Sequence, residues 1–412
     1  MVQHGLHYST SNKKICMYKK NLVFIAACLG MLLFGISLIT LGSIAISLQQ
    51  KFNLDGIASG TLFSILPVGI LTGSIFFGPV CDRYGYKKLL ILACIAMFAG
   101  FQGIAYASSL GLLKLSIYFF GVGGGVLNGA TNAVVSDISD KNKGANLSIL
   151  GVFFGVGALG MPLLLGALSG VLLPFQVIAM VGWLTLFIAA LYLFTRFPPA
   201  KQRVAITEIK WSKLVTPLLI LVAFFLFFQS SLEAIINNWT TTYLLNRTDF
   251  TESFALYALS LHIAGMIGMR LLIGTVLRHV SNIAIMWNCL ILLFAGVVLM
   301  QFGIQSTIII SGLVLSGAGL AGGFPIMLGF VGERFKELSG TAFSFVFTVA
   351  LIGNMLINYL MGLVVQTYGI SHLTTICYAM IIMMTLLCFF IFKKINNKSL
   401  KINKYVSKAM AE

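Results

Sequence analysis

Twelve apolar segments, each long enough to cross a lipid bilayer as a helix, dominate the sequence. A helix of ~20 apolar residues spans the hydrocarbon core and satisfies its own backbone hydrogen bonds. Of the residues, 58% are hydrophobic and only 9% are charged, against roughly 25% charged in an ordinary soluble domain. The sequence therefore predicts an all-α membrane protein. The predicted spans lie at about 22–48, 58–80, 88–108, 111–136, 145–169, 172–195, 214–245, 252–277, 283–303, 305–331, 338–365 and 371–392.

The spans fall into two groups of six, separated by the charged stretch FPPAKQRVAITEIKWSK. The first apolar run is longer than a signal-peptide core of roughly 7–15 residues, so we expect it to remain as the first span. The predicted organisation is an N-terminal cytoplasmic tail (1–21), a six-helix bundle (22–196), a cytoplasmic linker (197–213), a second six-helix bundle (214–392) and a basic C-terminal cytoplasmic tail (393–412).

The positions of the basic residues account for the formal net charge of +16 without a nucleic-acid partner. Loops on the cytoplasmic side of a membrane are enriched in Lys and Arg. When both termini are placed in the cytoplasm, the cytoplasmic loops and tails hold all of the 27 basic residues except Lys51, Lys114, Arg247 and Arg270. The predicted location is the cytoplasmic (inner) membrane of a bacterium, with the spans in contact with lipid.

An internal repeat relates the two groups of spans. A shift of 196 residues superposes Gly78 on Gly274, Asp137 on Glu333, Gly144 on Gly340, Ser148 on Ser344, Gly157 on Gly353 and Gly166 on Gly362. Two related halves predict two pseudo-symmetric six-helix bundles. Such an architecture places a solute site near the membrane midplane, between the halves, where each side of the membrane reaches it in turn.

The loop between the second and third spans reads GPVCDRYGYKK. Its glycines allow close helix approach and a tight turn, its Asp suits the positive end of a neighbouring helix, and its lysines suit the lipid headgroups. The pattern resembles the G-x-x-x-D-R-x-G-[RK]-[RK] loop of the major facilitator superfamily. The resemblance implies a transporter with a gating loop formed by Gly78, Asp82, Arg83, Gly85, Lys87 and Lys88.

Three segments resemble the fucose–hexose sugar symporter branch of that superfamily: GGGVLNGATNAVVSDIS in the fourth span, LEAIINNWTTTYL in the seventh and GGFPIMLGFVGERF in the tenth. The resemblance covers about residues 22–392 and implies proton-coupled sugar uptake. The member compared carries carboxylates in the first and fourth spans, where this chain has Gly42 and Asn128. Because those carboxylates are associated with proton coupling and sugar binding, a coupling group in this chain is expected elsewhere.

Ionisable side chains well inside the predicted spans are Glu233 in the seventh span and His262 and Arg270 in the eighth. Such residues are costly in a bilayer and face a partner or a water-filled cavity. A rise of 1.5 Å per residue places Glu233 ~27 Å, His262 ~22 Å and Arg270 ~10 Å from the cytoplasmic ends of their spans. Glu233, with His262 at a similar depth, is the predicted carrier of a coupling proton.

Each of these three residues also has another interpretation. Glu233 could tie helix ends together, and His262 could be a core histidine with its hydrogen bonds satisfied. Arg270 could be a structural cation bonded to backbone carbonyls or to a loop acid, or it could contact an anionic substrate such as an acidic sugar.

Amide side chains at helical spacing predict a sugar site, because sugar hydroxyls need hydrogen-bond donors and acceptors and the apolar face of the ring stacks on an aromatic ring. Residues four apart share one helix face. The predicted substrate-binding residues are Asn128, Asn132, Gln229, Asn237, Asn238, Trp239, Asn354 and Asn358. Each amide alone is also explained by a hydrogen bond between helices, and Trp239 by the aromatic belt at the membrane boundary.

Together these features predict a secondary active transporter that works by alternating access and takes up a neutral hexose, an amino sugar or an acidic sugar such as sialic acid with a proton. The alternative is proton-driven efflux of drugs or metabolites, because GVFFGVGALGMPLLLG in the fifth span partly resembles an antiporter motif. No catalytic constellation, metal-ligand spacing or nucleotide-binding loop is visible, so no enzyme activity, metal or cofactor is predicted. The seven cysteines are interpreted as small apolar side chains, and the chain is expected to act as a monomer.

Overall fold

A computed structural model of the protein describes residues 18–139, 143–199, 216–247, 250–335 and 339–409, with the backbone alone at 78–79, 82–83, 143–145, 148, 278, 339–341 and 396–409. These residues are almost entirely helical, and no β-strand occurs among them. Within this described part of the chain, twelve helical segments are long and apolar enough to cross a membrane. The all-α fold class with twelve spans is thereby confirmed. Most of the predicted N-terminal tail and linker lies outside the described residues.

Apart from the end of the last helix, the helices begin and end within a few residues of the predicted spans. Those of the first half are Lys20–Ser43, Ala45–Phe52, Gly56–Tyr84, Tyr86–Tyr106, Leu110–Ile138, Lys143–Leu168 and Pro174–Phe194. Those of the second half are Pro217–Arg247, Glu252–Gly274, Asn282–Phe302, Ser306–Leu320, Gly323–Arg334, Ser339–Tyr368 and Leu373–Ala409, with single 3₁₀ turns at Val276–His279 and Ile370–His372.

Three of these boundaries differ from the predicted spans. The first span is followed directly by the short helix Ala45–Phe52, and the tenth span is interrupted at Ala321–Gly322. The last helix continues to Ala409 and so includes most of the predicted C-terminal tail. Some helix starts carry side-chain caps: Asp55, for example, accepts a hydrogen bond of 2.7 Å from the Ala58 N–H at the start of the second span.

The two halves use the same helix pairings. The first span packs on the fifth as the seventh packs on the eleventh, the second on the fourth as the eighth on the tenth, and the third on the sixth as the ninth on the twelfth. Close helix crossings repeat with the same shift of 196 residues. Gly69 approaches the Tyr118 carbonyl and Gly121 the Leu66 carbonyl; in the second half Gly265 approaches Val314 and Gly317 approaches His262. The repeat seen in the sequence is therefore a repeat of packing.

The repeat also explains two basic residues that lie outside the predicted cytoplasmic loops. Lys51 donates a hydrogen bond of 3.2 Å to the Ala105 carbonyl, at the end of the third span. Its counterpart 196 residues later, Arg247, donates to the Gln301 carbonyl at the end of the ninth span. Cations at helix C-termini bind free carbonyls and complement the helix dipole. In each half, therefore, a cation that follows the first span caps the C-terminal end of the third span.

The described contacts between the halves close the bundle on one side. We call the face where the first span begins and the twelfth leaves the bundle the terminal face, and the other the opposite face. Ser64 donates to the Met355 carbonyl at 2.7 Å, and the Gly56 N–H donates to the Gln366 side chain at 2.9 Å. The Ser169 and Ser253 hydroxyls are 2.5 Å apart. These residues join the second span to the eleventh and the fifth to the eighth, from mid-depth to the opposite face.

Candidate functional site

The seventh span carries one polar face at mid-depth. Between residues 229 and 244 every side chain is buried except Glu233 and Asn237, which are half-buried. These two residues are four apart and share a helix face. The Glu233 carboxyl has protein atoms densely packed around it although part of its surface is open. That combination is expected at an internal cavity rather than at a lipid-facing surface.

Arg270, rather than His262, acts electrostatically on Glu233. The Arg270 guanidinium interacts electrostatically with the Glu233 carboxylate, although the two residues lie at different depths along their helices. The Arg270 Nε atom is buried and has no hydrogen-bond partner among the described residues. An arginine side chain is long, so its charge can lie at a different depth from its own backbone.

His262 faces the tenth span instead of the seventh. Its ring is fully buried, and Nδ1 lies 3.0 Å from both the Leu313 carbonyl oxygen and the Ser316 hydroxyl. These contacts fit the interpretation of His262 as a core residue. In the described structure its Nε2 atom is buried without a partner, so the ring retains one free nitrogen. Its predicted part in proton coupling stays a prediction.

Five of the seven predicted amides form two separate groups. In the fourth span the Asn132 amide donates to the Asn128 backbone and side-chain oxygens at 2.9 and 3.0 Å. In the eleventh span Asn358 makes the same pair of bonds to Asn354, at 2.8 and 3.1 Å. Asn238 of the seventh span in turn donates to the Asn358 side-chain oxygen at 3.0 Å. One group therefore belongs to each half.

Burial separates these amides by role. Asn128, Asn132, Asn237 and Asn354 are half-buried, so part of each residue's surface is open. Asn238 and Asn358 are buried. Their hydrogen bond joins the seventh span to the eleventh. It fits the alternative interpretation, in which a single amide makes a hydrogen bond between helices.

Gln229 and Trp239 are fully buried. Gln229 donates at 3.0 Å to the Leu320 carbonyl, at the interruption of the tenth span, where a helix end leaves carbonyls free. Trp239 lies edge-on to Phe63 of the second span, with ring centroids 5.2 Å apart. It therefore sits between the halves and not in an aromatic belt at the lipid boundary. A direct contact of either residue with solute stays a prediction.

Gly42 lies where the first and seventh spans cross. A Cβ atom added there would overlap the Asn237 carbonyl and come within 2.8 Å of the Asn238 Cα. The Thr241 hydroxyl donates to the Gly42 carbonyl at 3.1 Å in the same place. The position at which the compared sugar symporter carries a carboxylate therefore has no room for a side chain in this arrangement of the halves.

The predicted gating loop is described in part. Gly85 is the single residue between the helices of the second and third spans. Its φ is positive, 80°, a backbone conformation that favours glycine. Lys87 donates to the Leu193 carbonyl at the end of the sixth span, and Lys88 is exposed. At Gly78, Asp82 and Arg83 the structure describes the backbone alone. The gating role of the loop stays a prediction.

Some contacts at the site were not anticipated. Thr241 follows Asn237 by four residues, so helical spacing points to it. Phe63 has no such signal, because its position against Trp239 results from packing between spans far apart in sequence. Among the described residues, no group of three or more His, Cys, Asp or Glu side chains is arranged to hold a metal ion.

Comparison with known proteins agrees with this architecture. The sequence profile of the Major Facilitator Superfamily matches residues 24–357. The match covers most of the chain, so the protein belongs to this superfamily of membrane transporters and is a multi-pass membrane protein rather than an enzyme. Each relative below is a protein that the chain resembles.

The glucose/mannose transporter GlcP of Bacillus subtilis (strain 168) is 25% identical over 352 residues, which cover 80% of this chain and 84% of GlcP. A D-xylose transporter of Levilactobacillus brevis is 27% identical over 128 residues, and the match spans only 28% of that relative's length. The crystal structure of a D-xylose-proton symporter superposes with a TM-score of 0.76 at 14% identity, covering 90% of this chain and 97% of that one. The structural likeness shows a shared fold.

Proposed function

We propose that the protein is a secondary active transporter that takes up a sugar or sugar derivative together with a proton, with Glu233 as the proton carrier. The half-buried face formed by Glu233 and Asn237, in a segment that is otherwise buried, carries the proposal. A carboxyl group inside a membrane span is retained where it faces a partner or a cavity and has a task there.

The half-buried amides support a solute with many hydroxyl groups. Asn128 and Asn132 belong to one half, and Asn237 and Asn354 belong to the other. Amides both donate and accept hydrogen bonds, as alternating sugar hydroxyls require. The names of the two relatives, a glucose/mannose transporter and a D-xylose transporter, agree with this substrate class.

The direction of access follows from the closed opposite face. Glu233 precedes Asn237 on a span that runs from the terminal face to the opposite face, so it lies one turn on the terminal-face side of the Gly42 crossing. The distribution of basic residues supports a cytoplasmic terminal face in a bacterial inner membrane. The site in this structure is therefore proposed to face the cytoplasm, and alternating access to require separation of the halves at the opposite face.

Counterflow in proteoliposomes tests this function. Purified protein is reconstituted with a panel of neutral, amino and acidic sugars, with and without a pH gradient. We expect exchange of at least one sugar and its accumulation when the outside is acidic. Exchange of none of the sugars, with drug efflux from cells, would replace uptake by the efflux alternative.

Glu233→Gln tests the coupling residue in the same assay. We expect exchange to persist, because it needs no net proton movement, while accumulation driven by the pH gradient is lost. Glu252→Gln is the matched control, since it makes the same chemical change at the start of the eighth span near the opposite face. Accumulation by Glu233→Gln equal to that of the control would remove Glu233 from the coupling role.

A further inference from the structure

Arg270 points into the bundle. Gly268 and Leu272, two residues before and after it, are both exposed. A helix turns by about 100° per residue, so Arg270 lies on the side facing away from both neighbours. Ile267, three residues before Arg270, packs against Gly155 of the fifth span, which belongs to the other half. The guanidinium is therefore directed toward the space between the halves, and its Nε atom is buried without a hydrogen-bond partner.

Glu233 and Arg270 carry opposite charges that act on each other inside the bundle. The seventh span packs against the first, eighth, tenth, eleventh and twelfth spans. In the middle turns of these spans the described residues include no Asp, Glu, Lys, Arg or His other than Arg270 and His262, and His262 faces the tenth span. The remaining described Asp, Glu, Lys, Arg and His side chains of these spans lie in end turns or in the short helices beside them: Lys20, Lys51, Glu252, His279, Glu333, Arg334, His372, Lys393 and Lys394.

An arginine in such a place needs one negative charge near it. A guanidinium keeps its positive charge in proteins, and an uncompensated cation in a poorly hydrated place is costly. In the described structure Glu233 is the acidic residue on which the charge of Arg270 acts. A neutral sugar could not supply a negative charge, whereas a carboxylate could, because it pairs with a guanidinium through two parallel hydrogen bonds.

We propose, on the basis of the proposed transport function, that the substrate carries a carboxylate that binds Arg270, as a sugar acid does. Binding of the substrate anion replaces Glu233 as the counter-ion of Arg270. The Glu233 carboxylate then takes up one proton from solution and becomes a neutral carboxyl group. One anion and one proton enter the site together, so its net charge is unchanged and transport is electroneutral for a monoanion.

Glucuronate and glucose form a matched pair of probes, because they differ in having a carboxylate or a hydroxymethyl group on the same ring. Counterflow of both is measured with the original chain, Arg270→Gln, Arg270→Lys and the control Lys114→Gln, which removes a positive charge near the opposite-face end of the fourth span. Galacturonate and N-acetylneuraminate extend the acidic arm. Proton uptake on mixing the unaltered purified protein with each probe is followed with a pH indicator.

We expect at least one acidic sugar to exchange at least tenfold faster than its neutral counterpart. Arg270→Gln should lower that exchange at least tenfold, Arg270→Lys should restore part of it, and Lys114→Gln should leave it unchanged. Binding of the acid to the unaltered protein should take up about one proton per molecule, a result that does not depend on any variant folding.

Saturable transport of a neutral sugar with no competition by any of the acids would overturn the inference and leave sugar transport intact. Transport of an acidic sugar that Arg270→Gln does not change, or acid binding without proton uptake, would also overturn it. Exchange of no sugar of either kind would overturn both the inference and the proposed function.

Discussion

Replacing Gly42 by alanine is predicted to separate the two halves at the opposite face. The added methyl group would overlap the Asn237 carbonyl and lie 2.8 Å from the Asn238 Cα, whereas ordinary contact begins at 3.4 Å. The atoms it meets are backbone, so a rotamer change cannot relieve the overlap, and the seventh span has to move away by about 1 Å. This movement also strains the hydrogen bond from Thr241 to the Gly42 carbonyl.

The cost applies to the closed arrangement alone. Overpacking of this kind typically costs about 1–3 kcal/mol. A state in which the first and seventh spans have separated does not carry that cost, so the equilibrium between the two arrangements should shift about 5- to 150-fold toward the open opposite face. Exchange of substrate should slow, because each transport cycle passes through the closed arrangement.

Hydrogen–deuterium exchange of the reconstituted protein measures this shift. Faster exchange is expected in residues 54–64 and 355–366, where the second and eleventh spans meet near the opposite face. Gly160→Ala is the matched control, because a Cβ atom at Gly160 meets no atom within 4 Å. Exchange rates equal to those of the control, or a uniform increase throughout both halves, would refute the argument that Gly42 serves this crossing.

Two further predictions concern stability. Asn358→Ala removes the acceptor of the buried Asn238 amide on the seventh span and should lower the free energy of unfolding by about 1–3 kcal/mol. The measurement is the thermal midpoint of unfolding in detergent, which should fall. Asn246→Ala, which removes a hydrogen bond within one helix, is the control, and an equal fall for both variants would contradict the reasoning. Arg247→Gln removes charged hydrogen bonds to the end of the ninth span and should cost about 1.5–3 kcal/mol; an unchanged midpoint would show that this cap contributes little.

Much of the fold could be predicted from the sequence because bilayer spanning is a local property. An apolar run of sufficient length forms a helix in lipid whatever its neighbours are, so the twelve spans agree with the structure within a few residues. The turn at Gly85 is equally local. The repeat of 196 residues also made part of the topology predictable. Glycines that recur in both halves lie at corresponding helix crossings, as Gly121 and Gly317 show.

The interruption of the tenth span shows where local patterns end. The residues on both sides of the interruption are apolar, and hydropathy predicts one continuous span. The structure breaks the helix at Ala321–Gly322, next to Gln229 of the seventh span, whose amide binds the Leu320 carbonyl. The amide spacing in the seventh span suggested a solute contact for Gln229, but its immediate partner is a backbone group about ninety residues away in the chain.

The sequence by itself determined the membrane class, the number of spans, the two-fold repeat and the presence of a carboxyl group, Glu233, within a span. Only the tertiary structure decided that Arg270 interacts with Glu233 while His262 turns to the tenth span. Depth along a helix follows from counting residues, whereas the partner of a side chain depends on how helices distant in sequence cross and on which face each presents. Those crossings are set by packing between whole spans, and no local pattern of residues contains that information.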